Sequence, residues 1–310
     1  MRKQRLTIVA AVLLGCVLWL SCGKQEKSQP DSQASDEGKK TVYVVNYPLQ
    51  YFAERIGGDE VAVHFPAPSD EDPAFWMPAP ETIAQYQEAD LVLLNGATYA
   101  KWTEKVSLTE SRIVNTSAAF SDRYLQIAKA VTHSHGPGGE HSHAGTDFNT
   151  WLDPQLAILQ AQTVKDALVD LLPEHEALFN TNMTQLEIDL LALDSAFQAL
   201  VTGREETPLV ASHPVYGYFA HKYGLNLQAR LWEPEKMPSD EEWQDFDHSI
   251  EHHPAKWMIW EGTPDSAIAV KLKEHGLDGV VFLPCGNIPE EGDYIQVMQQ
   301  NVGRLKPAFE

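Results

Sequence analysis

Residues 174–201 read EHEALFNTNMTQLEIDLLALDSAFQALV, a stretch without Pro or Gly in which Phe179, Met183, Leu186, Leu190, Leu193, Phe197 and Leu200 follow one another at alternating steps of four and three. That spacing stacks all seven on one seam of an α-helix. At 1.5 Å per residue the helix is on the order of 40 Å long, the breadth of two small lobes rather than one. The stretch predicts a rigid spine between two bodies.

Outward from the spine, short apolar runs recur with helix-like stretches between them: 41–46, 61–65, 91–94 and 112–114 before it, and 209–211, 257–260 and 280–283 after it. Strands alternating with helices imply parallel sheets covered by helices. Pro80, followed by Ile83 and Tyr86 on one face, and Asp153 ahead of Pro154 mark two helix starts. The fold class is therefore α/β, with two lobes of parallel sheet flanked by helices and joined by a long backbone helix. The N-terminal lobe is drawn over 41–154, the connecting helices with the spine over 155–203, and the C-terminal lobe over 204–310.

Residues 1–5 are basic and 6–20 largely apolar, the pattern of an export signal and shorter than the roughly 20 residues a spanning helix needs. Trp19, Leu20, Ser21 and Cys22 resemble a lipobox, so 1–21 reads as a lipoprotein signal peptide and Cys22 as the acylated first residue of the mature chain. Leu13, Leu14, Gly15 and Cys16 form a competing lipobox, but cleavage there would leave 17–20 as an exposed apolar stub. Residues 22–40, rich in Gln, Ser, Asp and Lys, read as a flexible linker. The expected location is the periplasm or the extracytoplasmic surface, tethered by lipid.

With 23 Lys+Arg against 44 Asp+Glu the formal net charge is −21. Such a body repels nucleic acid and anionic headgroups and suits a cationic ligand. Cys285 is the sole cysteine outside the leader region, which excludes a disulfide framework in the body.

In open parallel sheets ligands collect at the carboxyl ends of strands, and two lobes give two such edges facing each other across a cleft. The C-terminal edges carry Ser212 and His213 after 209–211, Glu261 after 257–260, and Pro284 with Cys285 after 280–283. Cys285 reads as a soft ligand beside His213 or, more commonly for a lone cysteine, as a small buried hydrophobe. His252 and His253, next to Pro254, read as surface residues. Residues 133–143, HSHGPGGEHSH, place His133 with His135 and His141 with His143 on either side of a Gly/Pro hinge. Residues two apart in an extended chain point the same way, so each pair presents two imidazoles to one cation. Ordering such a loop costs entropy, which makes it a low-affinity capture site rather than the tight one. There is no Gly-rich phosphate loop, no GxSxG elbow and no HExxH helix, and the chain does not read as an enzyme.

Asp72, Pro73, Trp76, Pro78 and Pro80, then Ala89, Asp90, Leu91 and Val92, then the His-rich loop ahead of Trp151, Leu152, Asp153 and Pro154, run in order along the body. Ser212, His213, Tyr216, Gly217, Tyr218, Phe219, Tyr223, Gly224 and Leu225, and finally Gly292, Asp293 and Tyr294, continue the series. In these residues the sequence resembles the ZnuA-like family of periplasmic proteins that deliver zinc or manganese to ABC importers. The resemblance implies a monomeric receptor holding a divalent metal ion between its lobes, with an inner-membrane permease and its ATPase as partners. It implies four ligand positions: a His in the first lobe, a His before the Trp-Leu-Asp-Pro stretch, a His or Glu after the next strand, and an Asp near the end. The third is His213; the others fall on Ala74, Asn149 and Leu283.

Either the site is rebuilt or tight binding is lost. Candidates for rebuilding are Asp70, Glu71 and Asp72 beside Ala74, Glu233 between Trp232 and Pro234, Glu261, and the loop histidines in place of Asn149. One imidazole with several carboxylates is a harder donor set, which widens tolerance toward manganese or iron while accepting zinc. The expected function is capture of a divalent cation, zinc first, by the substrate-binding component of an ABC importer. The alternatives are a metal-binding adhesin or metallochaperone-like interaction protein acting through the loop, a sibling receptor with altered metal specificity, and a metallohydrolase with Glu261 as base.

Overall fold

The computed structural model describes residues 38–127, 132–134, 140–142 and 145–310. The leader with Cys16 and Cys22, most of the linker, and His135 and His143 lie outside the described residues. Among the described residues no helix is long and apolar enough to cross a membrane.

The N-terminal half alternates β1 (Lys40–Val44), α1 (Tyr47–Gly57), β2 (Val61–His64), α2 (Pro80–Glu88), β3 (Leu91–Leu94) and β4 (Ile113–Asn115), forming a parallel sheet of order β2-β1-β3-β4. Four short strands follow: β5 (Gln126–Ile127), β6 (Thr132–Ser134), β7 (Glu140–Ser142) and β8 (Gly145–Thr146). They pair antiparallel as β5 with β8 and β6 with β7. Two helices follow, α3 (Pro154–Leu171), whose N-cap Asp153 accepts the Gln155 N–H, and α4 (Glu176–Val201), which leads to the second half. The second sheet repeats the plan of the first. It comprises β9 (Leu209–Ala211), α5 (Gly217–Tyr223), β10 (Leu227–Ala229), α6 (Asp240–His252), β11 (Trp257–Trp260), α7 (Ser266–Glu274) and β12 (Asp278–Val281), in the order β10-β9-β11-β12, all parallel; α8 (Tyr294–Phe309) ends the chain.

The spine is α4, starting two residues later than the sequence pattern suggests, after a tight turn at Pro173–His175. Phe179, Met183, Leu186, Leu190, Leu193 and Phe197 are buried as read, but the seam ends on Val201 and leaves Leu200 partly buried. A last step of four keeps closer to the 3.6-residue period than the expected three. Around this seam a single core runs from Val42 and Leu93 of the first sheet to Leu209 and Ile259 of the second. Because side chains alternate along a strand, Val210, Met258 and Trp260 face the other way, into a smaller core with Trp232, Trp243 and Phe246 under α6. α8 returns to the N-terminal half, where Tyr294 packs on Tyr51 and Phe52 of α1 at ring distances of 5.6 and 5.5 Å.

Candidate metal centre

In the C-terminal sheet β9 and β11 are the neighbours at which the winding reverses, the topological switch point where open α/β sheets bind ligands. Ala211 pairs with Ile259 in register, and His213 and Glu261 each lie two residues further on. Beyond the strands the ladder continues: the Ser212 N–H donates to the Ile259 carbonyl (2.8 Å) and the Trp232 N–H to the Ser212 carbonyl (2.9 Å). These bonds bring the ends of β10, β9 and β11 side by side, and with them Glu233, His213 and Glu261.

Glu233 Oε1 lies 3.3 Å from His213 Nε2, and Glu261 Oε1 lies 3.0 Å from His213 Nδ1. The donor atoms of the three residues are within 4.8 Å of one another. The imidazole is 1% exposed, whereas Glu233 is 13% and Glu261 23% exposed, so solvent reaches the histidine by way of the carboxylates. A neutral imidazole has one N–H and one lone pair. With two carboxylates against its two nitrogens, one contact sets lone pair against lone pair unless the cluster takes up another positive charge. A second ring proton supplies it, and so does a divalent cation between ring and carboxylates, which the three side chains fit as one nitrogen and two oxygen donors.

The supports are rigid. Trp232, next to Glu233, packs at a tilt against Trp243 and Phe246 with ring centroids 4.6 and 4.9 Å away, and the Pro234 carbonyl accepts the Asp265 N–H at 2.8 Å. Tyr216 donates its hydroxyl to the Phe282 carbonyl at 2.7 Å. Burial, and then the Glu261 carboxylate, raise its phenol well above the usual range, so it stays a donor.

Glu261 lines a cleft of about 800 Å³ whose other walls include Glu71, Asp72, Asn149 and Leu283. Its floor is stitched across the two halves: the Tyr47 N–H donates to the Gly286 carbonyl (3.1 Å) and Trp151 Nε1 to the Pro284 carbonyl (2.8 Å). Asn287 Nδ2 donates to the carbonyls of Pro68 (2.7 Å) and Glu71 (2.9 Å). The structure brings His213, Glu233 and Glu261 together and leaves Glu71 and Asp72, which line the same cleft as Glu261, outside the close-set group. Asp72 Oδ1 accepts the Ala74 N–H at 2.9 Å and so caps its own turn. Of the three expected ligand positions without an ionisable group, Ala74 is buried, Asn149 donates Nδ2 to Asp147 at 3.0 Å, and Leu283 lines the cleft.

The remaining histidines divide. β6 and β7 pair antiparallel with His133 opposite His141 in register, and His135 and His143 lie outside the described residues. His253, expected on the surface, is buried with Nε2 at 2.8 Å from the Leu209 carbonyl, because Pro254 turns the chain inward at the foot of β9. Cys285 is not among the close-set donors around His213. It is buried, and burial first and the Asp293 carboxylate second push its thiol up to about 12. Cys285 is therefore expected to resist iodoacetamide at about pH 8, where roughly one part in ten thousand is thiolate, and to react in denaturant. Peptide-resolved mass spectrometry reads this directly.

Asp147 joins the halves. Its Oδ1 accepts the Asn149 N–H at 2.9 Å, its carbonyl accepts the Tyr218 hydroxyl at 3.2 Å, and a Cβ on Gly217 would sit 2.2 Å from its Oδ2. Burial raises the carboxyl from 3.8 to about 6, against the lowering effect of the Asn149 bonds. The folded chain thus holds a proton that the unfolded chain has released between about pH 4 and pH 6. Stability falls as pH rises through that window, by on the order of 3 kcal/mol at neutral pH. Asp147→Asn is expected to gain on the wild type as pH rises from about 4 to 6, read as urea midpoints.

The family model described as "ZnuA: Zinc-uptake complex component A periplasmic" matches residues 42–308. The chain is 28% identical over 317 residues to the high-affinity zinc uptake system protein ZnuA of Bacillus subtilis, with 96% of each chain covered. It is 25% identical over 315 residues to the zinc-binding lipoprotein AdcA of Streptococcus pneumoniae, covering 98% of this chain and 60% of that protein, so it spans about three fifths of that relative's length. The crystal structure of Zn(II)-bound AdcA from the same organism shares its fold with a TM-score of 0.75 at 22% identity, over 88% of this chain and 58% of that one. The match from 42 to 308 takes in both sheets, the spine and all three clustered residues, and the chain belongs to the ZnuA family of zinc-uptake components.

Proposed function

We propose that the chain is the extracytoplasmic receptor of a zinc importer, taking up the ion at His213, Glu233 and Glu261 and passing it to an inner-membrane permease driven by its ATPase. The observation that carries this reading is a buried imidazole with a carboxylate oxygen against each ring nitrogen, at the switch point of a sheet that opens on a cleft. Membership of a zinc-uptake family and the zinc named in its relatives support it. The three residues supply three of the four donors of a tetrahedral zinc site. Water, or Asp72 or Glu71 from the lining of the same cleft, supplies the fourth. Two carboxylates with one imidazole also admit manganese or iron.

The ion enters past the partly exposed Glu261 and reaches the histidine last. The net charge of −21 raises the local concentration of cations at the mouth, and the His-rich loop gathers ions at low affinity. Lipid at Cys22 tethers a monomer to the membrane, and no catalytic step is required. Calorimetric titration with zinc and manganese tests the reading. One tight equivalent is expected to survive deletion of residues 133–143; loss of all binding with the loop would overturn it in favour of a loop-based metal handler.

A further inference from the structure

The solvent-facing side of α6 holds a second set of donors. His248, Glu251 and His252 are all exposed, and one ligand atom from each lies within 4.8 Å of the others. His248 Nδ1 is 3.5 Å from Glu251 Oε2, and the His248 and His252 rings stand 5.3 Å apart at 90°. The helix is fixed by its opposite face, where Trp243 and Phe246 are buried. Core packing therefore gives no reason for two imidazoles here.

Residues four apart on a helix are neighbours on one face, so His248 and His252 reach a common point over the last turn, with Glu251 beside them. That turn is the carbonyl end of the helix, whose partial negative charge favours a cation. Two imidazole nitrogens and one carboxylate suit zinc-class ions, whereas magnesium and calcium take oxygen donors. With the side chains of His248 and Glu251 75% and 70% exposed, water completes the coordination and the ion exchanges freely.

We propose that His248, Glu251 and His252 form a second, exchangeable site for a zinc-class divalent cation. α6 leads into β11, so its last turn lies at the edge of the sheet where β11 begins, while Glu261 lies where β11 ends. The site is therefore separate from the cleft, and its test stands or falls independently of the receptor reading.

The test is modification of the full chain by diethylpyrocarbonate, read per histidine by mass spectrometry, in zinc chloride or magnesium chloride. Zinc is expected to slow the labelling of His248 and His252 together by several-fold, and magnesium to leave it unchanged. In His252→Ala the affinity should fall at least roughly tenfold, since even outer partners of metal ligands are worth about that much, and the zinc protection of His248 should disappear at the same concentration. Equal labelling rates with and without millimolar zinc, or protection of His248 that persists in His252→Ala, would overturn the proposal. Both positions are exposed, so folding is not at issue.

Discussion

His213→Ala is expected to weaken zinc binding by at least about 100-fold, or roughly 2.7 kcal/mol. His213 is the single nitrogen donor of the cleft group, and alanine leaves Glu233 and Glu261 facing one another across the space the ring filled. Two carboxylates retain some attraction for a cation but not the preference for zinc that an imidazole gives. Glu233→Gln and Glu261→Gln each keep the shape and the imidazole, so each should lose less, on the order of tenfold. A ligand held only by the folded state stabilises it by about 4 kcal/mol at a thousand times its dissociation constant. At that concentration zinc should raise the wild-type melting midpoint, and a 100-fold weaker His213→Ala should keep only about a third of that gain, about 1.4 kcal/mol. An unchanged affinity in His213→Ala would remove the cleft group from the account.

How far this site could be read from sequence depends on what each residue needed. The spine was legible because seven apolar residues share one period, and His213 and Glu261 because each follows a run of strand-forming residues. Glu233 was reached from its place between Trp232 and Pro234, while the strand that positions it, Leu227–Ala229, went unseen. Three residues, of which only Leu227 is partly buried, leave too little apolar signal to mark a strand. β12 begins at Asp278 because Asp278 and Gly279, though not apolar, pair with Trp257 and Met258. The burial of His253 depends on a contact with Leu209, forty-four residues away, which no local pattern encodes.

Register was the least visible feature and the most telling. Val44 pairs with Leu93 in the first sheet as Ala211 pairs with Ile259 in the second, and two residues beyond these pairs stand Asn46 and Asn95 in the one, His213 and Glu261 in the other. Asn46 Nδ2 donates to Asn95 Oδ1 at 3.0 Å, and Gln160 Nε2 donates to the same oxygen at 3.2 Å. Amides carry both donors and acceptors and can satisfy one another without charge. An imidazole between two carboxylates can do so only by gaining a second ring proton or by sharing a metal ion with them. The same place in the same topology is a closed structural bond in one half and, in the other, a set of donors that suits a metal ion, and residue charge decides between them.

The spine gives the second large effect. Leu190→Ala removes a fully buried side chain from the middle of α4 and is expected to destabilise the protein by about 2–5 kcal/mol, lowering the melting midpoint by roughly 5–15 °C. Leu191→Ala, at a neighbouring position 45% exposed, should stay within about 0.5 kcal/mol of the wild type. The comparison separates packing from helix propensity, since both substitutions put the best helix former in place of leucine. Leu190 belongs to the core that reaches strands of both sheets, so the loss should appear as one cooperative transition at a lower temperature. Two resolved transitions would mean that the halves unfold separately and that the spine is a linker rather than part of a shared core. Zinc affinity well below the new midpoint should be unchanged, because the close-set donors lie on three adjacent strand ends of one sheet and do not depend on the spine for their mutual distances.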